Sequence, residues 1–294
     1  MTRRTALASL AASLVRAAGR LPANQNVRWA LGSNLWNYFP PVPFTDILDV
    51  MRDTGFIGIR LTQFPKILDK YNITQSQLQT ECSKRGCQVI TISFNGPAHD
   101  PARRGEVIAN ARQAMTFLKQ MGAHHLVVFS PSRSAASGDF AFKTMCECFN
   151  ELGAAARDMG FRAGLHNHMG QMVQNPDEVD KCMAMTDPKL FWFSPDTAHL
   201  HLAGCDVVKT LEKHKKRLML ADYKDARRGG EKFPRNIFDL GDGEIDFPGT
   251  HRVLKSIGFK GWLCVDLDIA RNGPRASYER CGEYVVNRLE PIYS

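Results

Sequence analysis

From Val27 onward, eight short apolar runs alternate with eight longer stretches of helical periodicity, and no other feature constrains the fold as much. The runs end near Leu31, Leu61, Ser93, Phe129, His166, Asp196, Asp222 and Asp266. Apolar residues recur at helical spacing over about 44–54, 74–85, 103–121, 139–159, 176–184, 205–215, 248–257 and 276–288. Thr74 with Gln77 predicts a capping box, and Asp139 an N-cap for the fourth helix. Gly55, Gly86, Gly122, Gly160 and Gly258 each stand where a helix should stop before the next strand.

Eight strand–helix units in order is the count for a closed barrel of parallel strands. A doubly wound open sheet alternates too, but it wants a phosphate-cradling glycine loop after its first strand. Gly32-Ser33-Asn34 is not one. The expected fold is a single (β/α)8 TIM barrel over residues 23–294, with no linker or composition shift to mark a second domain.

Residues 1–22 are expected to lie outside that barrel. Arg3-Arg4, a modest Ala/Leu/Ser run and small residues near Gly19 read as a twin-arginine export signal, giving a periplasmic protein. A transit peptide or an ordinary amphipathic helix fits the same segment; without export the protein would be cytoplasmic. These first twenty residues supply four of the eight net positive charges. The remainder, with 34 basic and 30 acidic side chains, is too nearly balanced to predict nucleic-acid binding. No apolar run reaches the length of a membrane span. The eight cysteines form no Cys-x-x-Cys pair and read as reduced thiols, several of them in apolar-periodic segments.

Chemistry concentrates at the strand ends of the second half. His166 and His168 close the fifth strand, Asp196 and His199 follow the sixth, Asp222 and Lys224 the seventh, and Asp266 and Asp268 the eighth. In such a barrel these ends converge on one mouth, where barrel enzymes keep their catalytic groups. An Asp there can also cap the next helix, and Lys224 can pair with Asp225 or stabilise an oxyanion. Several charges in one place would stay uncompensated unless a metal or a substrate used them. Oxygen and imidazole donors without thiolate favour Mn²⁺, Mg²⁺, Co²⁺ or Zn²⁺ in an open site. The turn from Gly241 to Phe247 has glycine amides able to approach a substrate oxygen, or simply to form a plain turn.

At these residues the chain resembles the xylose-isomerase-like TIM barrels, the sugar phosphate isomerases and epimerases, and within them the inosose dehydratase branch. The resemblance rests on His166-x-His168-Met169-Gly170, Asp196-Thr197-x-His199-Leu200 through Ala203-Gly204, and Lys224-Asp225. It continues in Gly241-Asp242-Gly243-x-Ile245-Asp246-Phe247 and Gly258-Phe259-x-Gly261-Trp262. It implies one divalent metal, held in the family by Glu, Asp, His and Glu from strands five to eight. Here those places hold His166, Asp196, Asp222 and Asp266, so only Asp196 is the family residue; the inosose dehydratase branch tolerates histidine at the first place. Asp268, His168 or Gln174 could fill in for a shortened ligand. His199, Lys224 and His168 are the expected catalytic and supporting residues.

The activity implied is isomerisation, epimerisation or dehydration of a sugar or polyol-derived ketone through an enediolate. The alternative is a barrel that binds a carbohydrate without turning it over. A phosphodiesterase of the related endonuclease type comes third, since a DNA-tracking basic surface is missing. The expected partner is a small sugar or polyol, in a monomer or a homo-oligomer.

Overall fold

The computed structural model describes residues 26–135 and 137–293; the expected export segment lies outside them. Eight parallel strands appear in order: β1 (Val27–Gly32), β2 (Gly58–Leu61), β3 (Gln88–Phe94), β4 (His125–Phe129), β5 (Arg162–His166), β6 (Phe191–Phe193), β7 (Leu220–Tyr223) and β8 (Gly261–Val265). Hydrogen bonding runs continuously from β6 back to β1, then through β8 to β7. The remaining seam, β6 to β7, is closed by parallel bridges pairing Phe193 with Leu218 and Asp196 with Asp222. Two backbone bonds carry it, from the Met219 amide to the Phe193 carbonyl at 3.1 Å and from the Asp222 amide to the Pro195 carbonyl at 2.8 Å. The sheet is a closed (β/α)8 barrel.

Eight helices cover its outside: α1 (Phe44–Asp53), α2 (Gln75–Arg85), α3 (Arg104–Gln120), α4 (Gly138–Asp158), α5 (Pro176–Met185), α6 (Val207–His214), α7 (Phe247–Ser256) and α8 (Pro274–Tyr284). The capping box at Thr74 and Gln77 forms as expected. Asp139 does not cap α4: the helix starts one residue earlier, with Ser137 at its cap, and the Asp139 carboxylate pairs with Lys181 at 2.6 Å. Gly86 ends α2 at φ 64°, a left-handed turn in which a side chain would be strained.

Two apolar layers follow from strand alternation. Residues pointing outward pack against the helices in one large core. Those pointing inward form a smaller one, with Ala30, Ile90, Val127 and Cys264 along the axis. The strand N-termini are closed by two aromatic lids, Trp262 under Arg28 and Trp192 under Arg162, with guanidinium carbons 4.2 and 4.4 Å from the ring centroids. Beyond the inner apolar layer, at the opposite end, the inward residues turn abruptly polar. Among the described residues no helix is long and apolar enough to cross a membrane. The cysteines are all free.

Glu290, past the end of α8, is buried with Oε1 lacking a hydrogen-bond partner, and burial pushes its carboxyl up from 4.5 to about 7. A raised carboxyl contributes stability when protonated, below its unfolded value, and loses it as pH climbs through the folded value. Glu290→Gln should therefore melt higher than the parent at about pH 8 and match it only near about pH 4, below the unfolded value. Thermal melts at the two pH values decide this; a constant difference would remove Glu290 as the cause.

Candidate active site at the barrel mouth

The polar layer is built around two buried cations. Arg60, the third residue of β2, reaches across the barrel, donates from Nη1 to Asp222 Oδ2 at 2.7 Å and forms an ion pair through Nη2 with Asp266 Oδ1 at 2.8 Å. Lys224, just after β7, places its ammonium 3.1 Å from Asp196 Oδ2, 2.5 Å from Asp266 Oδ2 and 2.8 Å from Asp268 Oδ2. Arg60 and Lys224 are each 2% exposed, and Asp196 and Asp222 are fully buried. Burial pulls the values of both cations down. The facing carboxylates outweigh it and hold both well above their ordinary values.

Local sequence fixes each ligand's aim. Asp196 caps the short helix Thr197–Leu202, its Oδ1 accepting from the His199 amide at 3.0 Å, which leaves Oδ2 turned into the mouth. Asn167 clasps the Asp196 backbone from both sides, donating to its carbonyl at 3.2 Å and accepting from its amide at 3.0 Å. Thr197 Oγ1 donates to the Lys224 carbonyl at 2.8 Å, tying that helix to the end of β7. Gly32, at the end of β1, is required by close approach: a Cβ there would lie 2.0 Å from Asp266 Oδ1.

Within this frame His166, Asp196 and Asp222 form a group whose donor atoms lie within 4.8 Å of one another. Asp222 Oδ1, His166 Nε2 and both His199 ring nitrogens have no hydrogen-bond partner. Burial holds His166 and His199 well below the ordinary histidine value, so both rings are neutral and keep a lone pair to offer. Burial pushes Asp196 up to about 6 and Asp222 up to about 8, with neighbouring carboxylates adding to the rise. Four carboxylates (Asp196, Asp222, Asp266 and Asp268) thus face two fixed cations, an excess of two negative charges when all are ionised. A mixed nitrogen and oxygen donor set with that excess and unpartnered atoms fits one divalent cation.

Several expectations need correction. Asp266 stands outside the three-residue group, because Arg60 and Lys224 occupy both its oxygens. Its pull toward protonation by burial is overcome by those two cations, which keep it below the ordinary aspartate value. Lys224 does not pair with Asp225; its ammonium sits instead among Asp196, Asp266 and Asp268. The Gly241 and Gly243 amides do not face a substrate; both donate to buried Asp225 Oδ2 at 2.9 Å. Nor does Gln174 reach the mouth, its Oε1 being taken by the Gly170 amide at 2.7 Å.

His168 does lie at the mouth, half-buried, its ring centroid 3.7 Å from that of His199. Its Nδ1 sits 2.7 Å from the Met169 carbonyl and so carries the hydrogen, leaving Nε2 as an acceptor. Burial lowers His168, keeping it neutral. Phe233, 40% exposed, leans over both rings from the loop after β7 and offers an apolar face at the entrance. Arg60, Asn167 and Phe233 are functional candidates that strand-end reasoning passes over. An arginine inside the apolar run Gly58-Ile59-Arg60-Leu61 was the one visible signal among them.

A family model described as xylose isomerase-like TIM barrel matches residues 42–280. The chain belongs to that family. Curated relatives include an inosose dehydratase of Clostridium perfringens, 30% identical over 178 residues covering 52% of this chain and 60% of the relative. One from Halalkalibacterium halodurans is 32% identical over 166 residues, covering 51% and 55%. The chain thus spans little more than half the length of these curated relatives. Among solved structures, the IOLI protein with a bound zinc atom superposes with TM-score 0.77 at 15% identity, covering 91% of this chain and 99% of that one. L-ribulose 3-epimerase gives 0.72 at 15%, covering 90% and 95%. At such identities the superpositions establish the shared fold.

Truncating Arg60 would leave Asp222 and Asp266 buried without their common partner. Arg60→Met should destabilise the protein by about 3–5 kcal/mol in urea unfolding, with Arg60→Lys in between because one ammonium cannot span both carboxylates. A loss no larger than that of an exposed arginine would show that the clamp is not holding the mouth together.

Proposed function

We propose that the protein is a divalent-metal-dependent enzyme that removes the proton beside the carbonyl of a sugar or cyclic polyol ketone, giving isomerisation, epimerisation or dehydration. The observation that carries this reading is the convergence of His166, Asp196 and Asp222, with unpartnered donor atoms, at the mouth of a barrel of this family. Curated relatives named inosose dehydratase favour the dehydratase form and a cyclic ketone as substrate. His166, Asp196 and Asp222 would hold the metal, which when bound polarises a substrate carbonyl and makes the adjacent C–H acidic.

In this reading His168, neutral and half-buried with Nδ1 held at the Met169 carbonyl, takes that proton on Nε2. Removal of the proton gives an enediolate. Return of a proton to the opposite face is epimerisation, return to the neighbouring carbon is isomerisation, and departure of a β-hydroxyl as water is dehydration. Arg60 and Lys224 keep Asp222, Asp196 and Asp266 fixed while charge moves, and Phe233 packs against an apolar ring face and shields the mouth from water.

A second reading has one observation in its favour. Arg60 and Lys224 already neutralise much of the carboxylate charge, as they would in a barrel that binds a carbohydrate without turnover. Deuterium exchange separates the two. Incubated with Mn²⁺ and an inosose in D₂O, the protein should exchange the substrate's α-proton, followed by NMR. His168→Gln should slow that exchange by about a hundredfold or more, and Asp196→Asn should abolish Mn²⁺ binding seen by electron paramagnetic resonance. Saturable sugar binding that persists in chelator, with no deuterium incorporated, would establish the binding protein instead.

A further inference from the structure

At the end of the barrel away from the mouth, the starts of β4, β5 and β6 surround a cavity of about 440 Å³. Its polar lining is wholly basic or imidazole: His124, His125, Arg157, Arg162 and Lys189, with no carboxylate among them. Several arginines elsewhere on the surface have acidic partners: Arg85 holds Asp49 and Glu81, Arg104 holds Glu147 and Glu151, and Arg133 holds Glu178. Around the floor cavity that pattern stops. Among the described residues Arg162 and Lys189 have no ion pair, and Arg157 has only a 3.4 Å contact with its exposed neighbour Asp158.

This basic group is built in rather than free. Arg162, at the start of β5, holds its guanidinium carbon over the Trp192 indole, 4.4 Å from the ring centroid. A guanidinium seated over an aromatic ring keeps its N–H fork for a polar partner, and that fork can meet two oxygens of one phosphate. His125 pairs with Arg162 across the β4–β5 ladder. Burial, helped by Arg162, pushes His125 down to about 4, so it contributes hydrogen bonding instead of further charge. Phe161, Leu190 and Trp192 add an apolar wall beside the cations.

We infer that this floor cavity is an anion site, distinct from the mouth, that takes a multiply charged organic phosphate. Two unpaired cations, Arg162 and Lys189, with the exposed Arg157 beside them, call for a ligand with more than one negative charge. The apolar wall favours an ester over the free ion, and the volume suits a small metabolite. Nothing in this assignment depends on the chemistry at the mouth.

Calorimetric titration of the full chain tests it, using inorganic phosphate, inorganic pyrophosphate and phenyl phosphate at about 0.15 M salt, where loose surface attraction is screened. Pyrophosphate and phenyl phosphate should each bind once per chain, phenyl phosphate more tightly than inorganic phosphate. Arg162→Gln and Lys189→Gln should each weaken binding by about tenfold or more, as loss of one charge-assisted contact implies. Arg162→Lys should also weaken it, since the charge stays but the stacked fork goes. Arg103→Gln, near the mouth, should change nothing. No saturable binding, or a loss in Arg103→Gln equal to that in Arg162→Gln, overturns the site. Equal affinity for inorganic phosphate and phenyl phosphate overturns the ester assignment. The substituted side chains are exposed, and unchanged circular dichroism confirms that the variants fold.

Discussion

The mouth of this barrel depends on how Arg60 and Lys224 share four buried carboxylates. Taking even one charge out of water costs several kcal/mol, so a layer holding six ionisable groups persists only if each is met by a partner. Arg60 meets Asp222 and Asp266 from β2, while Lys224 meets Asp196, Asp266 and Asp268 from the end of β7. The two cations thereby connect strands that are far apart in sequence, and they set the direction in which Asp196 and Asp222 present their remaining oxygens. Site geometry and fold stability are one problem here.

The fold was legible because the barrel imposes a rhythm on the sequence. Strands buried on both sides must be apolar throughout, helices must show a stripe, and Gly86 or Gly258 must end a helix where φ turns positive. Strand ends could be placed to within about three residues, the usual uncertainty of such readings. The largest discrepancy is instructive: β6 stops at Phe193, and Asp196 lies beyond it as a helix cap. Capping and facing the mouth are compatible, because one carboxylate oxygen does each.

The site was only partly legible. Reading strand ends finds residues at the rim but not those reaching inward from the middle of a run, so Arg60 went unseen. Nor can spacing reveal that Asp266 has both oxygens committed, since that depends on the lengths of two cations from other strands. Asp225 shows the same limit. Beside Lys224 in sequence, it points the other way and organises the Gly241–Ile245 turn through backbone amides. Chain order says which groups are neighbours; only the pleat says which of them meet.

The seam between β6 and β7 gives the mouth a further significance. Every other strand pair is joined by a ladder, whereas here closure rests on isolated bridges, one of which pairs Asp196 with Asp222. Two of the three clustered side chains thus stand on opposite sides of the barrel's least reinforced join. A cation shared by them would work as a clasp on a hoop, and its binding energy would be added to the integrity of the whole cylinder. In such an arrangement occupancy of the site and persistence of the fold are the same variable, and the emptied barrel should breathe first along the line where its chemistry resides.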